Sequence, residues 1–302
     1  MSVQVTTAFV ENYNSNVVHL SQQRGSRLRG CVREEAVKGK NGYFEQIGST
    51  AARKRPSRHA DTPRMDTPHS RRRVSLVDYD WADLIDSEDK VRMLIDPSSP
   101  YAQAAAFAMG RAMDDALIEA ADGTAYTGVD GTTSTAFDTN MIVDVQTVWP
   151  GVTAADAGMN VAKIIEAAKL LGQNEVDPSI KRYMALNEAA IASLMKDEKI
   201  ISQDYNAVRP LQEGKVANYF GFQLMPTERI GTDSNGDHKV LFWAEDGLLL
   251  GIGSNPMAKI TERADKNYAT QVFNSMCIGA TRMEEAKVGY IECDPTAGPD
   301  GT

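Results

Sequence analysis

Three carboxylates, Asp114, Asp115 and Glu119, stand close together in a stretch with helical spacing. Paired carboxylates can act as general acid and base, or can bind a divalent metal. No histidine neighbours them in the sequence, and carboxylates on a long helix more often form a solvated face or meet basic groups from another element. We therefore interpret them as contacts for basic side chains. A hydrolase built on Asp114 and Asp115 stays open as an alternative.

A calcium-loop pattern occurs near residue 235 but fails at two required positions. Asp233, Asn235 and Asp237 alternate as calcium ligands would, yet the sixth position is His238 instead of glycine and the twelfth is Ala244 instead of glutamate. The Asn-Gly pair inside this stretch accepts the positive φ values of a tight turn, so the sequence predicts a hairpin here.

Other cofactor motifs are incomplete. His59 and His69 have no cysteine near them to complete a zinc site, and Gly251–Pro256 lacks the remaining glycine of a dinucleotide fingerprint. The phosphate-loop and nucleophile-elbow patterns do not occur. We therefore expect no catalytic residue, no metal and no cofactor.

Composition is that of a soluble globular protein with one large domain or two interleaved ones: 302 residues, 42% hydrophobic and 24% charged. No apolar run approaches the ~20 residues that span a bilayer, and the first residues do not resemble a signal peptide. The three cysteines, Cys31, Cys277 and Cys293, are far apart and odd in number. We expect reduced thiols in a cytoplasmic setting and no membrane.

Charge is distributed very unevenly along the chain. Residues 20–75 hold 14 of the 32 Lys and Arg but only 5 of the 41 Asp and Glu, a local charge of +9, which leaves −18 on the rest. Most of the cations lie at Arg53, Lys54, Arg55, Arg58, Arg64, Arg71, Arg72 and Arg73. An acidic body would repel a nucleic acid, so we favour protein contacts for this segment. A basic-arm nucleic-acid-binding protein remains an alternative.

The longest predicted element is a helix from Pro97 to Gly123. Ser99 is expected to cap it, Pro100 suits its first position, and Gly123 is expected to end it in the left-handed conformation. Its apolar face is narrow and rich in alanine and methionine. The pattern is typical of a strut against which other elements pack closely.

The remaining periodicity is mixed. Strands at Gly39–Ile47 and Val74–Trp81 are expected to form a large hairpin, with Pro56, Pro63 and Pro68 excluding regular structure between them. Downstream we predict strands and helices in alternation: Met141–Trp149, helix Ala154–Gly172, Tyr183–Leu186, a helix capped by Asn187, Gly214–Thr227, Val240–Ala244, Ile260–Ala269 and Gln271–Glu292. The fold class is therefore α+β.

Three segments in this order carry a family resemblance. They are MGRAMDDALIEAADGTAYTG (Met109–Gly128), GKVANYFGFQLMPTERI (Gly214–Ile230) and IGATRMEEAKVGYIECD (Ile278–Asp294). The chain resembles, from about Gly39 to Cys293, the major capsid proteins of tailed double-stranded DNA bacteriophages, which have the Hong Kong 97 fold. The segments look like the end of its spine helix, a strand of its axial domain and its closing peripheral-domain strands.

The resemblance implies a domain order. Residues 1–37 would be an N-terminal arm, 38–75 the extended loop, 76–150 the peripheral domain with spine helix 99–122, 151–255 the axial domain, and 256–302 the return to the peripheral domain and a tail. The arm and loop would reach over neighbouring subunits.

The same resemblance implies self-assembly into an icosahedral capsid in the virion, without an enzymatic step. Subunits would form pentamers and hexamers in the host bacterial cytoplasm, with a separate scaffolding protein, a portal, a possible decoration protein and packaged double-stranded DNA. The nearest alternative is an encapsulin-like shell around cargo enzymes. The eight loop cations listed above, with Asp114, Asp115 and Glu119, are the candidate intersubunit contacts. We expect replacement of Arg71, Arg72 and Arg73 together to impair assembly far more than folding.

Overall fold

The computed structural model describes residues 21–55, 57–58, 61–62, 64–86, 98–197 and 218–301. Within these residues the chain forms three α-helices: α1 (Ser98–Asp122), α2 (Val161–Gln173) and α3 (Glu188–Lys196). It also forms fourteen strands: β1 (Arg33–Ala36), β2 (Asn41–Ile47), β3 (His69–Ser75), β4 (Val77–Ile85), β5 (Ala125–Thr127), β6 (Thr133–Thr135), β7 (Ile142–Val143), β8 (Arg182–Leu186), β9 (Asn218–Tyr219), β10 (Phe222–Pro226), β11 (His238–Ala244), β12 (Leu248–Arg263), β13 (Ala269–Arg282) and β14 (Val288–Cys293). None of the described helices is long and apolar enough to cross a membrane.

The strands make three sheets. A six-stranded sheet has the order β7-β14-β11-β8-β10-β9, a four-stranded sheet has the order β1-β12-β13-β4, and a second four-stranded sheet has the order β2-β3-β5-β6. The mixture of helices and sheets confirms the predicted α+β class.

The chain divides into two compact units that are interleaved in sequence. Among the described residues, the first unit comprises those within 21–26, 78–112 and 254–277, and the second comprises those within 27–77, 113–253 and 278–301. The six-stranded sheet, which contains β8, β10 and β14, lies in the second unit. The predicted domain limits at 37, 75, 150 and 255 stay predictions. The assignment of segments to peripheral and axial domains stays a prediction.

The main core of the second unit lies between the six-stranded sheet and the helices α2 and α3. Ile164 and Leu171 of α2 are fully buried, as are Phe242 of β11 and Ile291 of β14. Alternate apolar residues of β11 and β14 face this layer because side chains of a strand point to opposite faces in turn. The core is therefore assembled from segments far apart in sequence.

Asparagine caps start both shorter helices. The Asn187 side chain accepts the N–H of Ala190 at 2.9 Å, as predicted. Asn160 accepts the N–H of Lys163 at 2.8 Å. Because this cap fixes the first turn of α2, the helix begins at Val161 and the predicted start at Ala154 is wrong.

The long helix is close to its predicted length, but both predicted end signals are wrong. It begins at Ser98, so Ser99 lies within it. Gly123 is absent from the glycines with positive φ, and its N–H donates to the Glu119 carbonyl oxygen at 3.0 Å. The carbonyl oxygens of Ala121 and Gly123, at the end of this helix, accept hydrogen bonds from the Arg282 side chain.

Two predicted strands differ from the structure. The partner of β2 is His69–Ser75, whereas the predicted partner strand began at Val74 and the residues before it were expected to be irregular because of their prolines. The last of those prolines, Pro68, precedes β3 and leaves it free to pair. Only Ile142 and Val143 of the predicted strand Met141–Trp149 are in a sheet, since the Asp144 carboxylate accepts the N–H of Gln146 and turns the chain.

Gly110 of α1 is expected to be essential for close packing. A Cβ at this position would lie 2.5 Å from Gly25 Cα and from the Ser26 nitrogen, and backbone atoms cannot move aside as a side-chain tip can. We expect Gly110→Ala to lower the thermal midpoint, although alanine favours helix by about 1 kcal/mol. The matched control is Gly172→Ala in α2, where a Cβ would meet nothing within 4 Å. This substitution should stabilise the protein. Equal shifts of the two midpoints would contradict this account.

Candidate subunit-interaction surface

The extended loop has an ordered stem and an exposed tip. Its stem is the antiparallel pair β2 and β3, which is in register from Asn41↔Ser75 to Ile47↔His69. The Gly48 N–H donates to the Pro68 carbonyl oxygen at 2.9 Å and closes the stem. Residues 49–67 form the tip, and all those that the structure describes are exposed.

Five predicted contact residues lie in this tip. They are Arg53, Lys54, Arg55, Arg58 and Arg64, and all are exposed. Arg55 donates to the Arg58 carbonyl oxygen. None of the five forms an ion pair with a carboxylate in the part of the chain that the structure describes. The tip therefore presents unneutralised positive charge.

One side of the stem, which we call the outer face, combines aromatic and arginine side chains. Tyr43 lies opposite Arg73, and Arg73 lies opposite Tyr126 on the next strand. The Arg73 guanidinium is 4.5 Å from the centre of the Tyr126 ring, a cation–π distance. Tyr43 and Tyr126 are each about two-fifths exposed, and Ile47 is 70% exposed. Tyrosine and arginine are enriched in protein interfaces, so this face has the composition of a contact surface.

Arg71 also lies on the outer face. Its guanidinium pairs with the Glu45 carboxylate at 2.6 Å, and this partner lowers the pKa of Glu45. The same guanidinium donates to the Val129 carbonyl oxygen at 3.2 Å. Since Glu45 is well exposed, the pair adds little to the folding free energy and remains accessible to another chain.

Arg72 is placed differently from its two neighbours. Successive side chains of a strand alternate between faces, so Arg72 points inward and is only 5% exposed. Its Nε–H donates to the Met283 carbonyl oxygen at 2.8 Å, and its guanidinium pairs with Glu285. The side chain is thus engaged inside its own subunit. Replacing all three arginines together would damage folding as well as assembly, so that expectation is corrected.

Asp114 is also buried, with 0% exposure. Its carboxylate accepts the backbone N–H groups of Arg27 and Leu28 at 3.0 and 3.2 Å. This carboxylate therefore fixes the chain that leads into β1, and its side chain is not available to a neighbour. A sequence can indicate a carboxylate on a helix, but it gives no signal that two distant backbone amides will surround it.

Asp115 and Glu119 line a groove on the second half of α1. Asp115 forms a two-point ion pair with Arg229, and Lys239 pairs with Asp122 at 2.8 Å. Glu119 is exposed and has no ion-pair partner among the described residues. Of the three carboxylates singled out from the sequence, Glu119 is thus the one with a free charge toward solvent.

A larger acidic cavity, of about 680 Å³, lies at one end of the six-stranded sheet. Sequence reasoning missed it because its carboxylates come from four separate segments. They are Asp144, Asp156, Asp237, Glu292 and Asp294. Burial and neighbouring carboxylates raise the pKa of Asp237 and of Glu292. These groups repel one another and would favour a cationic partner.

Substitutions in this cavity should change stability with opposite signs. The raised pKa of Asp237 means that its charge costs stability at neutral pH, a cost that vanishes as the pH falls toward 3.8. Asp237→Asn should therefore raise the thermal midpoint at pH 7, with a smaller gain near pH 4. The pKa of Asp294 is lowered by hydrogen bonds from Thr296, so Asp294→Asn should lower the midpoint at pH 7. Thermal unfolding across this pH range tests both, and shifts of the same sign would contradict the assignment.

The described residues hold no group of three His, Cys, Asp or Glu side chains arranged to bind a metal. Burial raises the pKa of the Cys31 and Cys293 thiols to about 11, and a hydrogen bond with Asp78 together with burial does the same for Cys277. Thiols with such pKa values are protonated at neutral pH and are poor nucleophiles. The three cysteines are therefore not activated as nucleophiles.

The fold is similar to that of solved bacteriophage capsid structures. The capsid protein of Cyanophage P-SCSP1u matches with 15% identity and a TM-score of 0.74, over 96% of this chain and 94% of that chain. The capsid of Ralstonia phage GP4 matches with 11% identity and a TM-score of 0.72, over 96% and 97%. The Cyanophage Pam1 capsid matches with 14% identity and a TM-score of 0.70, over 98% of each chain. No curated protein matches the sequence.

A family model described as phage capsid protein matches residues 5–295, so the chain belongs to the phage capsid protein family. It is a structural protein of the bacteriophage capsid shell, and its place is in the virion. The predicted Hong Kong 97 fold is confirmed. The subunits assemble into multimeric capsids.

Proposed function

We propose that subunits of this protein form rings of five and six in a closed shell, with the basic loop tip of one subunit on the acidic body of a neighbour. The observation that carries this is the tip itself. Its five cations are exposed and lack ion-pair partners among the described carboxylates of their own chain. A loop of this composition cannot build a core, so its ordering entropy must be offset by contacts with another molecule.

Complementary charge is available on the same chain. Residues outside 20–75 carry −18, and they include the acidic cavity and the free Glu119 carboxylate. The outer face of the stem supplies a second contact region, with Arg71 and Arg73 beside exposed aromatic rings. Each such ion pair is worth only about 0 to 1 kcal/mol. A shell repeats it at every subunit, so the contributions add along the assembly.

The family resemblance extends the proposal to further partners. A separate scaffolding protein would guide assembly in the host bacterial cytoplasm, a portal would occupy one vertex, a decoration protein would bind outside, and double-stranded DNA would be packaged inside. The subunit would carry no enzymatic step. An encapsulin-like compartment is the second candidate by fold, and the family match favours the phage shell.

Expression of the full chain followed by sedimentation and electron microscopy tests the proposal. We expect megadalton particles or, without a scaffold, rings of five or six subunits. High salt should shift these species toward subunits, because the contacts are charge pairs. A folded monomer that stays monomeric at high protein concentration and low salt would overturn the proposal. Particles filled with other proteins instead of DNA in infected cells would favour the compartment.

A further inference from the structure

A largely buried cluster of charge lies where the loop stem meets the body. We call it the loop clamp, and it comprises Arg72, Arg282 and Glu285. The Arg72 guanidinium pairs with one Glu285 oxygen, and the Arg282 Nε lies 3.5 Å from the other. The Arg282 side chain is completely buried. The Glu285 carboxylate thus lies between two buried guanidinium groups and links them electrostatically.

The end of α1 completes the clamp. Arg282 Nη1 donates to the Ala121 and Gly123 carbonyl oxygens, both at 2.8 Å, and Nη2 donates to the Ala136 carbonyl oxygen at 3.2 Å. Two guanidinium groups against one carboxylate leave an excess positive charge. The partial negative charge at a helix C-terminus offsets part of that excess. One ionic network therefore joins the last turn of α1 to the middle of the loop stem.

The inner side of the stem is attached to the same place along most of its length. Gln46 Nε2 donates to the Met283 carbonyl oxygen at 2.5 Å, and this oxygen also accepts from Arg72. Phe44 packs against the buried cluster of Val74, Leu249 and Met283. Attachment thus reaches Gln46, one residue from the outer end of β2.

We infer that Glu285 is a positioning residue, which sets the angle of the loop stem against the C-terminal end of α1. The loop can then change conformation only beyond the Gly48–Pro68 pair, so only the tip adjusts when it contacts a neighbouring subunit. This inference rests on the proposed contact role of the loop and identifies the residue that orients the loop. Removal of the Glu285 charge would leave two like charges buried side by side, and the repulsion between them would weaken the attachment of the stem to the body.

The test is hydrogen exchange on the unassembled full-length subunit, with Glu285→Gln compared to the wild type. We expect amides of β2 and β3 to exchange at least tenfold faster, while amides of β8 and β11 change little. A merely stabilising role would accelerate all of these strands alike. Uniform acceleration, or unchanged exchange in the stem, would overturn the inference.

The matched control is Glu284→Gln, which removes the neighbouring charge. Glu284 is half exposed and pairs with Lys287 at 3.0 Å, outside the clamp, so stem exchange should stay as in the wild type. If Glu285→Gln does not fold, Arg72→Lys gives a second measurement. The lysine keeps the charge but cannot bridge Met283 and Glu285 as a planar fork does, so the stem should again exchange faster.

Electron microscopy of the same variants separates this inference from the proposed function. A stem that loosens in a variant that still forms regular shells would support the clamp and count against the loop as an essential contact. A stem that stays fixed while shells fail would do the reverse.

Discussion

A subunit with alanine in place of Arg282 is expected to lose about 3–5 kcal/mol of folding free energy, the usual cost of removing one partner from a buried charge cluster. Three carbonyl oxygens would lose their donor at once, two of them at the end of α1. Glu285 would keep only one cationic partner. For many domains such a loss is a large part of total stability, so we expect insoluble protein or a strongly lowered denaturation midpoint.

Chemical denaturation of Arg282→Ala, Arg282→Lys and Arg263→Ala gives the comparison. Lysine has one compact ammonium and cannot reach the separate carbonyls that the guanidinium spans, so it should rescue only in part. Arg263 pairs with Asp265 at the surface, and its removal should change the midpoint little. Similar losses of unfolding free energy for Arg282→Ala and Arg263→Ala would show that the buried cluster contributes no more to stability than a surface ion pair.

Neutralising the loop tip is expected to have its effect on assembly alone. In Arg53→Gln/Lys54→Gln/Arg55→Gln the three positions are exposed, so the subunit should unfold as the wild type does. If each residue forms one surface ion pair, worth ~0.5 kcal/mol, the loss per subunit is about 1.5 kcal/mol, or roughly a tenfold rise in the concentration needed for assembly. Light scattering against protein concentration, in low and high salt, measures it.

The matched control is Lys169→Gln/Lys181→Gln/Lys196→Gln, which makes the same charge change at exposed positions of the second unit. Its assembly should stay close to that of the wild type at each salt concentration. Equal impairment by both triple variants would show that net charge matters and that the tip has no particular contact. A wild-type salt dependence that persists in the tip variant would also contradict the prediction.

Local signals in the sequence were sufficient for much of the fold. The spacing of alanine and methionine predicted α1 within one residue, and Asn187 marked the start of α3 because an N-cap acts within three residues. The turn at Asn235–Gly236 was also predicted from a local signal, because an Asn-Gly pair accepts positive φ values. In the structure, Gly236 has a φ of +95°. The segment 198–217, which contains the first residues of the predicted strand Gly214–Thr227, lies outside the described residues.

Features that depend on distant partners could not be predicted in this way. Three consecutive arginines look alike in sequence, yet Arg72 points inward and pairs with Glu285, while Arg71 and Arg73 lie on the outer face, because side chains alternate along β3. Asp114 and Asp115 are likewise adjacent but have different environments. The charge of this segment indicated a contact surface, and the strand pairing shows which of its arginines are placed to contact another subunit.

The position of β14 in the six-stranded sheet has a consequence for synthesis. This strand, Val288–Cys293, pairs with β11 on one side and β7 on the other, although β11 ends at Ala244. A ribosome adds about 5–20 residues per second, so β14 is synthesised several seconds after β11, and this edge of β11 stays unpaired during that time. Nascent chains without β14 would expose that edge and could not present a finished surface to other subunits. The six-stranded sheet can therefore form in full only after Cys293 has been synthesised.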